Sequence, residues 1–146
     1  MSQWFYFKIS NTREGSTYKF NIINLVKPDS LYAHGMRPLL YSKTEARSSQ
    51  IGWRRGCHDI KYFASKKKSS IPLYTLSFTI ELNYSQDKVY FAHCYPYTYS
   101  DCLLMLKRLS RLVQSKDRLR RTELTKTIAG NTVELLMITN FTSTQD

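Results

Sequence analysis

Two adjacent Cys/His pairs are the residues of this 146-residue chain best suited to chemistry. Cys57-His58 and His93-Cys94 could together supply four zinc ligands, since thiolate and imidazole are ligands that Zn²⁺ prefers. Adjacent residues on a strand point to opposite faces, however, so each pair can direct only one side chain into a common site. The usual spacings H-x-x-E, H-E-x-x-H and C-x-x-C are absent. We therefore expect loop and core roles for these four residues.

The remaining candidates for catalysis do not assemble into a motif. His34 stands beside Gly35 in a segment that reads as a loop, so we expect its side chain to be exposed rather than catalytic. There is no G-x-S-x-G nucleophile elbow and no phosphate-binding P-loop. A cysteine nucleophile would need a paired base, and no spacing selects one. The sequence thus predicts neither a catalytic nor a metal site within the chain.

An excess of positive charge is the clearest indication of a partner. Lys and Arg number 22 against 11 Asp and Glu, and the net charge of +11 favours nucleic acid, anionic lipid or acidic peptide. Aromatic and basic residues interleave at 53–55 and 61–66, as on surfaces that stack bases, but also as on any aromatic-rich strand with a solvated face. No RNP, zinc-finger or helix-turn-helix signature accompanies them, which disfavours nucleic acid.

The composition is that of a folded domain without a membrane span. Hydrophobic residues make up 42% and aromatic residues 14%, which excludes a largely disordered chain. No apolar run is long enough to span a bilayer, and the first residues lack the apolar core of a signal peptide. Three widely spaced cysteines argue against a disulfide framework. We expect a cytosolic or nuclear protein.

Strands dominate the pattern up to residue 95. Aromatic and β-branched runs at 4–10 and 18–25 flank a turn at 11–15, which predicts a hairpin. The clearest strand lies at 75–82, where apolar and polar residues alternate with the period of a half-buried antiparallel strand. Further expectations are an edge or irregular segment at 36–41, a helical turn at 43–50, a strand near 59–63, and a return strand at 88–95 after a turn at 83–87. Several short strands separated by turns predict a β-sandwich.

The pattern changes after Pro96. Thr98 and Asp101 fit the N-terminal capping signal of a helix, and residues 101–113 have the apolar stripe of an amphipathic helix. Two strands follow at 125–129 and 132–139, joined by a Gly-Asn turn. The second strand is apolar on both faces, as a central strand of an α/β sheet would be.

Three stretches together resemble a known family. They are residues 3–7 (QWFYF) with 18–31 (YKFNIINLVKPDSL), residues 35–53 (GMRPLLYS to IGW) and residues 90–101 (YFAHCYPYTYSD). In this order they are similar to the cytosolic carboxypeptidases, zinc metallocarboxypeptidases that remove glutamate from tubulin and other acidic tails. The resemblance covers nearly the whole chain.

The resemblance implies a mainly β fold class, with an antiparallel β-sandwich followed by the first helix and strands of an incomplete α/β carboxypeptidase domain. Residues 1–95 would be the N-terminal sandwich domain, incomplete at its start, and residues 96–146 the beginning of the catalytic domain. The family holds zinc with an H-P-G-E segment and a later His, and uses a Glu further on as base. This sequence contains no H-P-G-E. The resemblance therefore implies zinc for the full-length hydrolase, no cofactor bound by this chain, and no hydrolysis by the chain alone.

The resemblance also implies a cytoplasmic protein whose partners are glutamate-rich tails such as that of tubulin and the remainder of the catalytic domain. Basic residues are candidates to guide such a tail by their charge: Arg54, Arg55, Lys66, Lys67, Lys68, Arg118, Arg120 and Arg121. The alternative is a basic nucleic-acid- or polyanion-binding module without enzymatic activity, which would bind DNA or RNA more tightly than polyglutamate. A third hypothesis is a chain without autonomous function.

Overall fold

The computed structural model describes residues 4–66, 69–112 and 117–142. By their contacts, the residues fall into two compact units, of which the first ends at Pro96 and the second begins at Tyr97. Within the described ranges, no helix combines the length and the apolar character that crossing a bilayer requires.

The described part of the first unit consists of two antiparallel sheets with two short helices. Its elements are β1 (Tyr6–Ser10), β2 (Ser16–Leu25), a 3₁₀ helix (Leu31–His34), β3 (Leu39–Ser42), α1 (Lys43–Ser48), β4 (Arg54–Arg55), β5 (His58–Ala64), β6 (Tyr74–Leu82) and β7 (Lys88–Ala92). One sheet has the strand order β1-β7-β3-β4 and the other has the order β2-β6-β5.

The two sheets pack face to face through aromatic rings. Phe7 of β1 and Phe91 of β7 meet Phe20 of β2, with ring centroids 5.7 and 5.1 Å apart. Phe78 of β6 lies 5.8 Å from Phe91, and both rings are fully buried. Burial of such large apolar side chains is the main favourable contribution to folding. The predicted antiparallel β-sandwich is confirmed.

Two hairpins were expected in this unit, one from the strands at 4–10 and 18–25 and one from the strands at 75–82 and 88–95, and both predictions are wrong. β1 pairs with β7, with Lys8 opposite Tyr90, and β2 pairs with β6, with Phe20 opposite Phe78. The turn after β1 therefore takes the chain from one sheet to the other, and the turn after β6 takes it back. The apolar faces of strands consecutive in sequence thus meet across the core instead of lying side by side in one sheet.

The predicted strand at 75–82 is present as β6, but it is not half-buried as expected. Ser77 and Thr79, which were placed on a solvated face, are only 3% and 8% exposed. β6 is the middle strand of its sheet, and the pairing register places Lys61 opposite Ser77 and Lys19 opposite Thr79. Short hydroxyl side chains between longer neighbours on both sides are shielded from water.

The segment predicted as an edge or irregular stretch contributes an internal strand. β3 lies between β7 and β4. Pro38 immediately precedes β3, so its missing N–H removes no bond from the ladder, and its carbonyl accepts from the Gly56 N–H at 3.1 Å. The helical turn and the strand near 59–63 are confirmed as α1 and β5.

A capped helix opens the second unit. The helix α2 (Tyr99–Leu109) follows Thr98, whose hydroxyl accepts from the Asp101 N–H at 3.2 Å. The Asp101 carboxylate accepts in return from the Thr98 N–H at 2.8 Å, which completes the predicted capping box. The helix ends at Leu109 and residues 110–112 are not helical, so the predicted end of the helix at Val113 is wrong; Val113 itself lies outside the described residues.

An antiparallel strand pair follows the helix. β8 (Leu119–Lys126) pairs with β9 (Thr132–Ile138), and Gly130 in the turn has a φ of +78°, a conformation that favours glycine. The predicted bounds of the first strand, 125–129, are wrong. The strand begins earlier, at Leu119, because the basic residues that precede the predicted strand also pair with β9; Arg120, for example, lies opposite Met137. In the described residues β9 is not a buried central strand, since Ile138 is 77% exposed.

Candidate functional site

The basic residues predicted to guide an acidic tail lie in both units. Arg54 and Arg55 form β4 and Lys66 follows β5, whereas Arg120 and Arg121 belong to β8 and Arg118 directly precedes that strand. Lys67 and Lys68 lie outside the described residues.

Arg54 is committed to an internal ion pair. Its Nε lies 3.2 Å from Oε2 of Glu45, and its Nη2 lies 3.3 Å from Oε1, so the contact is bidentate. α1 positions the carboxylate, because Ser42 caps that helix and its hydroxyl accepts from the Glu45 N–H at 3.0 Å. Only 12% of the Glu45 side chain is exposed. Arg54 thus neutralises a nearly buried carboxylate and has little charge left for a ligand.

Arg55 and Lys66 are more available than Arg54 for binding an acidic ligand. Arg55 is exposed, and its Nη1 donates to the carbonyl of Arg37 at 2.6 Å. That bond leaves its other guanidinium donors free for a ligand. Lys66 is exposed, and among the described residues its ammonium forms no ion pair.

In the second unit, two of the three candidate arginines have internal partners. Arg121 pairs with Glu134 across the β8–β9 ladder, and this hydrogen bond holds the pKa of Glu134 below its ordinary value. The guanidinium of Arg120 lies 3.9 Å from the centroid of the Phe141 ring, a cation–π contact. Arg118 is exposed and has no ion pair within the described ranges.

The two Cys/His pairs do not fit a zinc site. Burial raises the pKa of the Cys57 thiol to about 12, although the nearby Arg54 opposes the shift. Zinc requires the thiolate, which such burial disfavours. The Nδ1 atom of His93 lies 3.0 Å from the hydroxyl of Tyr32, and the thiol of Cys94 accepts from the Trp4 indole N–H at 2.9 Å. No group of three or more potential metal ligands occurs in the part of the chain that the structure describes.

His34 is exposed, as expected. Its Nε2 lies 3.3 Å from Oδ1 of Asp29, whose side chain is also largely exposed. An exposed pair of this kind gains little from its mutual attraction, because water screens both groups. Neither residue lies in a setting that would prepare it for proton transfer.

A cluster of rings that was not predicted from the sequence lies on the outer face of the four-stranded sheet. Tyr6, Tyr41, Trp53 and Tyr90 line a cavity of about 290 Å³ together with Lys43. We call these four rings the aromatic face. Its signal was the period-two spacing of Trp4, Tyr6 and Lys8 near the start of the chain; in β1 this spacing places Tyr6 and Lys8 on the same side of the sheet as Tyr90.

Comparison with solved structures defines the class of fold. The structure superposes on a metallo-carboxypeptidase from Burkholderia cenocepacia with a TM-score of 0.58 and 16% sequence identity. The superposition covers 92% of this chain and 29% of that protein. A metallo-carboxypeptidase from Pseudomonas aeruginosa gives a TM-score of 0.54 at 20% identity, with 92% of this chain and 30% of the other covered. The fold is that of a segment of the metallo-carboxypeptidases.

Comparison with curated protein sequences shows which group of carboxypeptidases the chain resembles. No protein-family model matches the chain. Human cytosolic carboxypeptidase 2 is 46% identical over 140 residues, which are 95% of this chain and 16% of the relative. Mouse cytosolic carboxypeptidase 3 is 42% identical over an alignment of 147 positions, which covers 99% of this chain and 14% of the relative. The chain is thus homologous, along nearly its whole length, to one segment of the cytosolic carboxypeptidases, and the resemblance inferred from the sequence is confirmed. It spans about a sixth of the length of these relatives.

Proposed function

We propose that this chain is a segment of a cytoplasmic zinc carboxypeptidase whose complete form removes glutamates from acidic C-terminal tails such as that of tubulin. The observation that carries the proposal is the 46% identity to human cytosolic carboxypeptidase 2 over 140 residues. Residues 1–95 then represent the N-terminal sandwich domain, and residues 96–146 represent the beginning of the catalytic domain.

The chain alone does not hydrolyse peptides under this proposal. In the complete enzyme, zinc would supply the Lewis acidity that makes a bound water nucleophilic near neutral pH. The residues present here do not fit that metal, since Cys57 is buried as a thiol and His93 is hydrogen-bonded to Tyr32. The proposed contribution of this segment is folding support and electrostatic guidance of the tail.

Exposed cations without an internal carboxylate partner are the best candidates for tail guidance. Lys66 and Arg118 meet this description within the described residues, and Arg55 follows because it is bonded only to a backbone carbonyl. Arg54 and Arg121 contribute less, because each already neutralises a glutamate of the chain. The net charge of +11 adds a long-range attraction for any polyglutamate.

Binding of a fluorescent peptide ending in a run of glutamates tests the proposal by anisotropy. We expect binding at low ionic strength that weakens steeply towards physiological salt, since exposed charges are screened within about 8 Å there. A peptide of equal length ending in glutamines is the matched control and should not bind. Absence of binding at low ionic strength would reject tail guidance.

Matched charge variants separate a site from a general field. Lys66→Gln should weaken peptide binding more than Lys19→Gln, which removes the same charge from an exposed position on β2. Equal effects of the two substitutions would attribute the binding to net charge alone.

A further inference from the structure

The aromatic face forms a closed ring of side chains on one side of the four-stranded sheet. Tyr6 lies 6.1 Å from both Trp53 and Tyr90, measured between ring centroids. Tyr41 lies 5.5 Å from Trp53 and 6.0 Å from Tyr90. Trp4 extends the cluster, with its ring 6.0 Å from Tyr6. Five rings from four separate stretches of chain therefore converge on one surface.

This surface is open to solvent. Trp4 and Tyr6 are 45% and 42% exposed, and the other three rings are partly buried. The rings face away from the core, because Phe7 and Phe91, the neighbours of Tyr6 and Tyr90 in their strands, point into it. The cavity of about 290 Å³ that four of the rings line is at the lower end of the range for ligand sites.

Three lysines lie beside the aromatic face. Lys43 lines the cavity, and Lys8 lies opposite Tyr90 in the pairing register. Lys88 is two residues before Tyr90 on β7, and therefore projects from the same side of the sheet. The four strands of this sheet, all of them described, contain no Asp or Glu.

We propose that the aromatic face binds single-stranded nucleic acid, with bases stacked on the rings and phosphates held by Lys8, Lys43 and Lys88. Base–aromatic stacking beside a positively charged groove is the general mode by which proteins hold single strands without sequence preference. An organic cation would be repelled by Lys43. A polyglutamate tail would satisfy the lysines but has no aromatic groups to stack on the rings. Lys66 and Arg118, the first candidates for tail guidance, lie outside the four-stranded sheet that carries this site.

The two tryptophans of the chain make the proposal directly measurable. Trp4 and Trp53 both belong to this surface, so selectively excited tryptophan fluorescence reports on it. Titration with a thymidine oligomer should quench this fluorescence. An abasic deoxyribose-phosphate oligomer of the same length carries the same charge without bases, and should bind about fivefold more weakly or worse. Equal binding of the two oligomers would overturn stacking.

A pair of matched variants locates the site. Tyr6→Ala should weaken binding of the thymidine oligomer about fivefold or more. Phe63→Ala removes an aromatic ring of similar exposure, 46%, from the edge strand of the opposite sheet and should leave binding unchanged. Circular dichroism of both variants confirms that they are folded. Equal effects of the two substitutions would refute the location.

The salt dependence tests the role of the lysines. Each phosphate contact contributes about −0.7 to the slope of log K against log salt for a single strand. Lys8→Gln should make the slope less negative by about that amount, whereas Lys61→Gln on β5 should leave it unchanged. Quenching by polyglutamate as strong as that by the oligomer would instead assign the surface to an acidic peptide.

Discussion

The hydroxyl of Ser42 donates a 2.5 Å hydrogen bond to Oδ2 of Asp87, and both residues are buried. The other carboxylate oxygen, Oδ1, accepts from the N–H and the hydroxyl of Thr44 at 3.0 and 2.8 Å, and from the N–H of Lys88 at 2.7 Å. One carboxylate at the start of β7 thus holds the junction between β3 and α1. Since Ser42 also caps α1, this contact supports the helix that presents Glu45 to Arg54.

Asp87→Asn should lower the free energy of unfolding by about 2 kcal/mol, because hydrogen bonds to a buried charged acceptor are among the stronger ones. Urea unfolding followed by circular dichroism measures the change. Asp29→Asn makes the same chemical replacement at an exposed carboxylate and should change the stability by less than about 0.5 kcal/mol. Equal losses in both variants would contradict the structural role of Asp87.

Acid should remove the contribution of Asp87. Burial alone would raise the pKa of its carboxyl, but the hydrogen bonds from Ser42, Thr44 and Lys88 outweigh it and hold the pKa below its usual 3.8. A carboxyl with a lowered pKa in the folded state stabilises the fold fully above its unfolded pKa of about 3.9, and loses this effect as the pH falls through the folded pKa. The stability difference between wild type and Asp87→Asn should therefore shrink below about pH 4. A difference that grows in acid would contradict this sign.

Substitution of Arg54 should mainly lower stability and substitution of Lys66 should mainly weaken peptide binding, although both are basic residues of the first unit. Arg54→Gln leaves the nearly buried Glu45 without its partner and should cost about 1–2 kcal/mol of stability. Lys66→Gln should cost less than about 0.5 kcal/mol, because the side chain is exposed. Paired urea unfolding and peptide anisotropy should show a stability effect for the first variant and a binding effect for the second. The reverse pattern would exclude Lys66 from tail guidance.

Cys57 and Cys94 should differ in reactivity. Burial raises the pKa of Cys57 to about 12, so little thiolate is present near neutral pH, whereas Cys94 is exposed. Iodoacetamide followed by peptide mapping should label Cys94 in the native protein and Cys57 only after unfolding in urea. Equal labelling rates in the native protein would mean that Cys57 is not enclosed by the core.

Periodicity in the sequence predicted which segments are strands, but not which strands pair. An apolar face on β1 and another on β2 are equally compatible with neighbours in one sheet and with opposite layers of a sandwich. Phe7 and Phe20 belong to opposite layers, with their rings 5.7 Å apart. The capping box of α2 was predictable because Thr98 and Asp101 act locally. Pairing of β1 with β7 joins residues about eighty positions apart, and no local pattern encodes it.

The candidate sites were likewise only partly predictable from the sequence. Positive charge is visible in the composition, but the sequence does not distinguish Arg54, which pairs with Glu45, from Lys66, which has no ion pair among the described residues. The aromatic face is assembled from rings that lie far apart along the chain, so only the sheet order brings Tyr6, Tyr41 and Tyr90 together.

Release of glutamate is the most direct test of the proposed function. The purified chain, supplied with zinc, is incubated at low ionic strength with a peptide ending in a run of glutamates, and the peptide mass is followed. We predict that the peptide binds and keeps its full mass, because the described residues contain no group of three potential metal ligands and Cys57 is buried as a thiol. Loss of C-terminal glutamates that stops when zinc is chelated would contradict the proposal that this segment guides tails without cutting them.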